Sequence, residues 1–194
     1  MFLALNRTAD AASEPVTTAQ AKAHLRVTHS DDDTYIDALV KAARMSVEHF
    51  CDRALINQTW VATFKTTDKE RLRIPKAPLV SVTSVQYRGT TDGSLQTASS
   101  STYEVNTDAQ PGVIKFSTVP SYDSSYENPI RVTFVAGYGA SSTDVPDSFI
   151  HAIKLLVAHF YQHRSSVVNL MEIKPEELPH GVQYLLSPYR FFYS

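Results

Sequence analysis

The hydrophobic period of this 194-residue chain changes twice. From Val16 to about Ile56 apolar side chains recur at intervals of three and four. From Asn57 to Gly139 they alternate, and beyond Pro146 the longer interval returns. A helix repeats its faces every 3.6 residues and a strand every two, so the same stretch cannot satisfy both. The chain is therefore expected to be α+β, a helical bundle of about four helices with an antiparallel β module inserted between the second and third. The helical part spans 16–56 and 140–190 and the insert 57–139. Residues 1–15 show no period and read as a flexible arm, and 187–194 form an aromatic tail.

Local signals place the elements. Thr17 with Gln20 is a capping box, and Val16 can staple onto Ala21, so a short helix runs to about Leu25. Asp31, Asp32 and Asp33 open a second helix whose stripe is Ile36, Val40, Ala43, Val47 and Phe50, with Lys41 and Arg44 off it. Thr59–Phe64, Arg71–Ile74, Leu79–Tyr87, Tyr103–Asn106, Val113–Phe116 and Ile130–Ala136 alternate and are rich in β-formers. Pro75, Pro78, Asp92-Gly93, Pro111-Gly112 and Pro120 punctuate them. The polar stretch Thr97–Thr102 reads as a flexible hairpin tip. Pro146 begins a third helix with Asp144 as cap, carrying the stripe Phe149, Ile153, Leu156 and Phe160. Residues 165–178 read as a loop, and a last helix covers His180–Leu186.

Composition narrows the function classes. A net charge of −2 gives no global reason for tight binding to nucleic acid or an anionic membrane. The single Cys51 cannot form an internal disulfide and suits a reducing cytoplasm. No apolar run reaches the length of a membrane span, and Met1–Leu5 is too short for a signal core, so no membrane crossing is expected.

The search for catalytic groups finds little. His159 and His163 lie four apart on one helix face, a spacing that can hold zinc, but Phe160 stands where a metalloprotease has its glutamate base. His151 is two turns away. A polar helix edge facing a neighbour is the better reading. The acidic run with Asp37 lacks the glycine and distal glutamate of a calcium loop, and the helix dipole already explains it. Gly137-Tyr138-Gly139 lacks the lysine of a phosphate loop. Cys51 reads as a small buried hydrophobe. Lys65, Lys69, Arg71, Arg73 and Lys76 form a basic cluster that Asp68 and Glu70 dilute and strand alternation splits. No metal, cofactor or catalytic residue is expected.

Five segments, in order, resemble the head-tail connector (adaptor) family of tailed bacteriophages and gene-transfer particles. They are Ala21–Val27 before an acidic helix start, Arg53–Trp60 at the helix-to-strand junction, Pro78–Val85, Val132–Gly139 continuing through Val145-Pro146 and Ala152–Tyr161, and Leu185–Arg190. Together they cover about Val16 to Arg190. The resemblance implies a structural virion protein, not an enzyme, assembled in the host cytoplasm as a homo-oligomeric, dodecameric ring in the neck. It implies docking beneath the portal protein, prolongation of the channel through which double-stranded DNA passes, and a platform for the next tail-joining protein. It also places Glu172, Glu176 and Glu177 near the channel axis as candidate lumen-lining residues.

The aromatic end, Tyr189, Arg190, Phe191, Phe192 and Tyr193, either folds back on its own subunit or anchors the subunit to the portal or a neighbour. Its composition favours the anchor, because aromatics and arginine carry much of the energy at interfaces. Two alternatives from other classes are a metal-dependent hydrolase or nuclease using His151, His159 and His163, and a generic binding module.

Overall fold

The computed structural model describes residues 2–67, 70–163 and 179–191. The chain divides into two compact units, one of residues 13–55 with 141–194 and the other of residues 1–12 with 56–140.

The helical unit contains α1 (Thr18–Leu25), α2 (Asp33–Cys51), α3 (Asp147–Gln162) and α4 (His180–Leu186). The Thr17 hydroxyl accepts from the Gln20 amide at 3.2 Å, and the Gln20 side chain accepts from the Thr17 amide at 3.0 Å. These bonds satisfy two of the donors that a helix start leaves open. Val16 and Ala21 are buried beside them. Arg26 ends α1 and Asp52 ends α2, both in the left-handed region. The buried stripe of α2 is Ile36, Val40, Ala43, Val47 and Cys51, whereas Phe50 is only half-buried. Helix α3 buries Phe149, Ala152, Ile153, Leu156 and Val157, and α4 buries Val182 and Leu186. Helix α3 packs on α1, α2 and α4. Asp144 does not cap α3. It closes a 3-10 turn over Ser142–Asp144 by accepting from the Ser141 amide at 3.0 Å, and α3 begins after Pro146.

Arg44 departs from its expected place off the apolar stripe, because its side chain has no exposure. Its guanidinium reaches Glu14 at 2.7 Å and Glu48, one turn on, at 2.8 Å. Glu48 also accepts from the Leu55 amide at 2.9 Å. A buried cation is tolerable only when its donors are matched in this way.

The β unit holds β1 (Phe2–Ala9), β2 (Gln58–Phe64), β3 (Arg71–Arg73), β4 (Leu79–Arg88), β5 (Leu95–Thr97), β6 (Tyr103–Asn106), β7 (Val113–Phe116) and β8 (Ile130–Ala136). They form a five-stranded sheet, β1-β2-β8-β4-β5, and a three-stranded sheet, β3-β7-β6. All their pairings are antiparallel. Ala62, Phe64, Val85, Ile130, Val132, Phe134 and Ala136 form the core of the larger sheet, and Leu72, Ile114 and Phe116 lie buried on the smaller. Strand β8 can leave the sheet as it does because residue 137 is glycine. A Cβ there would lie 2.6 Å from the Asn57 backbone, and the φ of 154° is one that side chains disfavour.

Two expectations need correction. Most of the supposed flexible arm 1–15 is strand β1, paired with β2 from Phe2↔Phe64 to Ala9↔Thr59. Its ladder partners lie fifty or more residues downstream, and none of its side chains is buried, so no local apolar period announces it. The Ser-rich stretch is likewise not a loose tip. It begins in β5, buries Ala98, and closes a 3-10 turn over Ser100–Thr102 capped by Ser99.

Arg44→Ala should destabilise the protein by about 3–5 kcal/mol, because it strands the Glu48 carboxylate in the interior. Glu14→Ala should cost less, since Glu14 is partly solvated. Urea unfolding of the two variants against wild type checks the order.

Candidate functional site

The aromatic end and the helix ends that receive it form the most distinctive surface of the helical unit. Residues Ser187–Tyr189 continue α4 as a 3-10 turn with Pro188 inside it. The ring of Tyr189 lies 4.5 Å from that of Phe149, at the start of α3. Arg53, just past the end of α2, donates from Nε to the Tyr189 carbonyl at 2.8 Å. The same guanidinium sits 4.4 Å over the ring of Phe191, and Arg190 sits 4.9 Å over Phe50. Each stacked cation–π contact adds on the order of 1 kcal/mol. Of the two burials open to this cluster, the structure supplies the first for Tyr189, Arg190 and Phe191, which are held by their own unit. Arg190 remains exposed and Phe191 half-exposed. Phe192 and Tyr193 lie outside the described residues, as do Glu172, Glu176 and Glu177.

Sequence reasoning missed two residues here. Arg53 is buried although it follows a helix end, and its partners lie about 136 positions along the chain. Tyr184 is 82% exposed. Its signal is local, since Val182 and Leu186 are four apart and face inward, so the position midway between them faces out.

The histidines do not converge. His159 and His163 are neighbours, with ring centroids 4.8 Å apart and planes tilted by 57°, whereas His151 lies against His24 of α1 at 6.4 Å. Among the described residues no group of three or more His, Cys, Asp or Glu side chains is placed to hold a metal ion. The acidic run at the start of α2 ties helices together. Asp32 accepts from the Tyr161 hydroxyl, Asp33 pairs with Lys22 at 2.6 Å, and Asp37 accepts from the Thr18 hydroxyl. Cys51 is fully buried beside the Leu186 carbonyl. No helix among the described residues is long and apolar enough to cross a membrane.

The basic cluster is dispersed. Lys76 is buried with its ammonium 5.6 Å from the Trp60 ring, and Lys65 donates to the Tyr126 carbonyl at 2.8 Å. Arg71 and Arg73 share the exposed face of β3, with Lys115 of β7 opposite Arg71. Lys69 lies outside the described residues.

Burial, and then the charge of His163, hold the His159 imidazole below its ordinary pKa near 6.5. The fold therefore favours neutral His159, and the unfolded chain takes up the proton first as pH falls. Stability from this group is present above about pH 6.5 and is lost below it. His159→Gln should flatten the loss of thermal stability between about pH 7 and pH 5, as read from melting curves of both proteins.

The chain matches the head completion protein family over residues 15–192. No curated protein sequence matches it. Solved structures match the fold at full length. A chain from the neck of an empty gene transfer agent particle, computed with C6 symmetry, superposes with a TM-score of 0.82 at 20% identity. A chain from the virion of a native gene transfer agent particle gives 0.78 at 21%, and one from the neck of a native particle, computed with C12 symmetry, gives 0.77 at 20%. Each alignment covers 99% of this chain and 97% of the other. With a family match that runs from the first capping box into the aromatic end, the protein belongs to the head completion protein family.

Proposed function

We propose that the protein is a structural, non-enzymatic head-tail connector that forms a ring in the neck of a tailed-phage-like particle. The observation that carries this reading is the head completion family match over 15–192. The full-length likeness to chains from gene transfer agent necks, solved with sixfold and twelvefold symmetry, supports a ring, and we take twelve copies as its size. In this reading the ring docks beneath the portal protein, continues the DNA channel and presents its far side to a tail-joining protein. DNA must slide through such a conduit, so a mildly acidic subunit suits it better than a basic one, which would hold phosphates. Glu172, Glu176 and Glu177 are the residues we assign to the channel wall, on the same electrostatic ground.

The tail is assigned to the portal or neighbour contact through its outward parts, the exposed Arg190, the open side of Phe191, and Phe192 and Tyr193. Because Tyr189 packs on Phe149 and Arg53, two truncations separate the roles. Removing Phe192–Ser194 should leave the thermal transition unchanged and lower attachment to portal-bearing heads. Removing Tyr189–Ser194 should also lower the melting temperature, because the Phe149–Tyr189 ring contact and the hydrogen bond from Arg53 to the Tyr189 carbonyl are lost. If the short truncation attaches as well as the full chain does, the tail is not the contact.

The ring itself is tested by imaging particles assembled with and without the protein. A closed ring between portal and tail is expected when it is present, and tailless heads when it is absent. Density elsewhere in the particle would remove the connector reading.

A further inference from the structure

The outer face of the three-stranded sheet concentrates positive charge on a chain that is negative as a whole. Leu72, Ile114 and Phe116 are buried, so Arg71, Arg73, Val113, Lys115, Glu104 and Asn106 share the other face. That face holds three cations and one carboxylate, against a net charge of −2 for the chain. Arg71, Arg73 and Lys115 are all exposed.

The arrangement works against the sheet itself. Arg71 and Lys115 are direct partners across the β3–β7 ladder, and Arg73 follows two residues on. Like charges directly opposite one another destabilise a sheet. Glu104, opposite Lys115 on β6, offsets one of the three. Among the described residues none of the three cations forms an ion pair. Local conflicts of this kind concentrate at functional sites.

The backbone adds donors of its own. Strand β3 is an edge, with no strand beyond it among the described residues. The Glu70 carbonyl accepts from the Phe116 amide at 2.8 Å, and the Ile74 amide donates to the Gly112 carbonyl at 2.8 Å. Successive residues of an antiparallel strand turn their N–H and C=O groups to alternate sides, so the Arg71 and Arg73 amides point to the open edge. Two main-chain donors thus stand beside two guanidiniums, and phosphate oxygens accept from both kinds. A strand rises about 3.3 Å per residue, which sets Arg71 and Arg73 about 7 Å apart, close to the spacing of successive phosphates along one DNA strand. An acidic peptide would take the same amides by adding a strand, and β3, three residues long, is a short template for that.

We infer that the exposed face of β3 and β7 binds the phosphate backbone of duplex DNA through Arg71, Arg73 and Lys115. The inference rests on the connector reading, which brings duplex DNA to every copy of the chain, and it names the surface that the DNA touches. Phosphate contacts carry no sequence information, so they are equivalent at each step along the duplex and let it slide. The negative charge on the rest of the chain keeps phosphates away from other surfaces.

The test measures binding of the full-length chain to a fluorescently labelled duplex of mixed sequence, by anisotropy over a series of salt concentrations. Log affinity should fall with log salt at a slope of about −2.7 for one chain, from about −0.9 for each of three phosphate contacts. Arg71→Gln, Arg73→Gln and Lys115→Gln should each bring the slope about 0.9 nearer zero, alike on every duplex sequence. The triple variant should lose the binding, whereas Lys41→Gln, on the exposed side of α2, should change nothing. Arg71→Gln should melt no lower than wild type, because it removes a like-charge pair. A wild-type chain that binds no duplex even at low salt overturns the assignment, and so does a triple variant that binds as wild type does. Tighter binding of poly-glutamate than of duplex DNA makes an acidic protein segment the occupant and also overturns it. Heads assembled with the triple variant should still carry a closed ring. Loss of that ring makes this face an assembly contact, which overturns the DNA assignment and leaves the connector reading standing. Duplex binding that the triple variant loses, with no ring on wild-type heads, upholds the phosphate site and overturns the connector reading.

Discussion

The guanidinium of Arg44, enclosed between Glu14 and Glu48, is the interaction on which the helical unit depends. Glu14 lies where the chain enters this unit and Leu55 where it leaves, and Leu55 is held by the other oxygen of Glu48. One buried cation thus fastens both ends of the segment that contains α1 and α2. Apolar burial along α2 and α3 supplies the bulk of the driving force, since each fully buried Ile, Leu or Phe is worth about 1.5–3 kcal/mol. It cannot choose where the flanking chain departs. Directional, charge-assisted hydrogen bonds can, because they weaken steeply with misplacement.

What was legible in the sequence follows from the range over which each feature is determined. The α1 cap and the stripe of α3 are set by neighbours three or four residues away, and so could be read directly. So could Tyr103–Asn106, Val113–Phe116 and Ile130–Ala136, whose alternation records which side faces a core. Arg44 and Glu48 look like an ordinary surface pair one turn apart, and only Glu14, thirty positions upstream, reveals that they are buried. Strand β1 has no buried residue to betray it, and β5 is three residues long. The likeness to a connector rested on the order of segments, which survives where individual side chains do not.

The candidate site divides in the same way. The spacing of His159 and His163 predicted that they would meet, and they do, yet the chemistry that spacing can support needs further ligands that the described residues do not bring near. The aromatic composition of the last residues was evident. That Tyr189 would lie on Phe149 was not, because Arg53, which takes its carbonyl, gives no local sign of burial. The helix dipole favours the acidic run at the start of α2. Three of its carboxylates are also committed, one each, to Tyr161, Lys22 and Thr18, so electrostatics and tertiary packing act on the same residues.

The chain passes between its two units three times, near residues 12, 55 and 140. On a ribosome, β1 emerges first, but β2 follows only at residues 58–64 and the central β8 only at 130–136. At about 5–20 residues per second, several seconds separate β2 from the strand that completes its sheet. The helical unit waits longer still, because α3 starts at Asp147. Neither unit can close on a nascent fragment. Each folds only when sequence-distant pieces are present together, a topology that slows folding. A stalled product ending before β8 would carry neither finished unit, so a quality-control system that recognises exposed apolar chain could remove it before it reached an assembling particle.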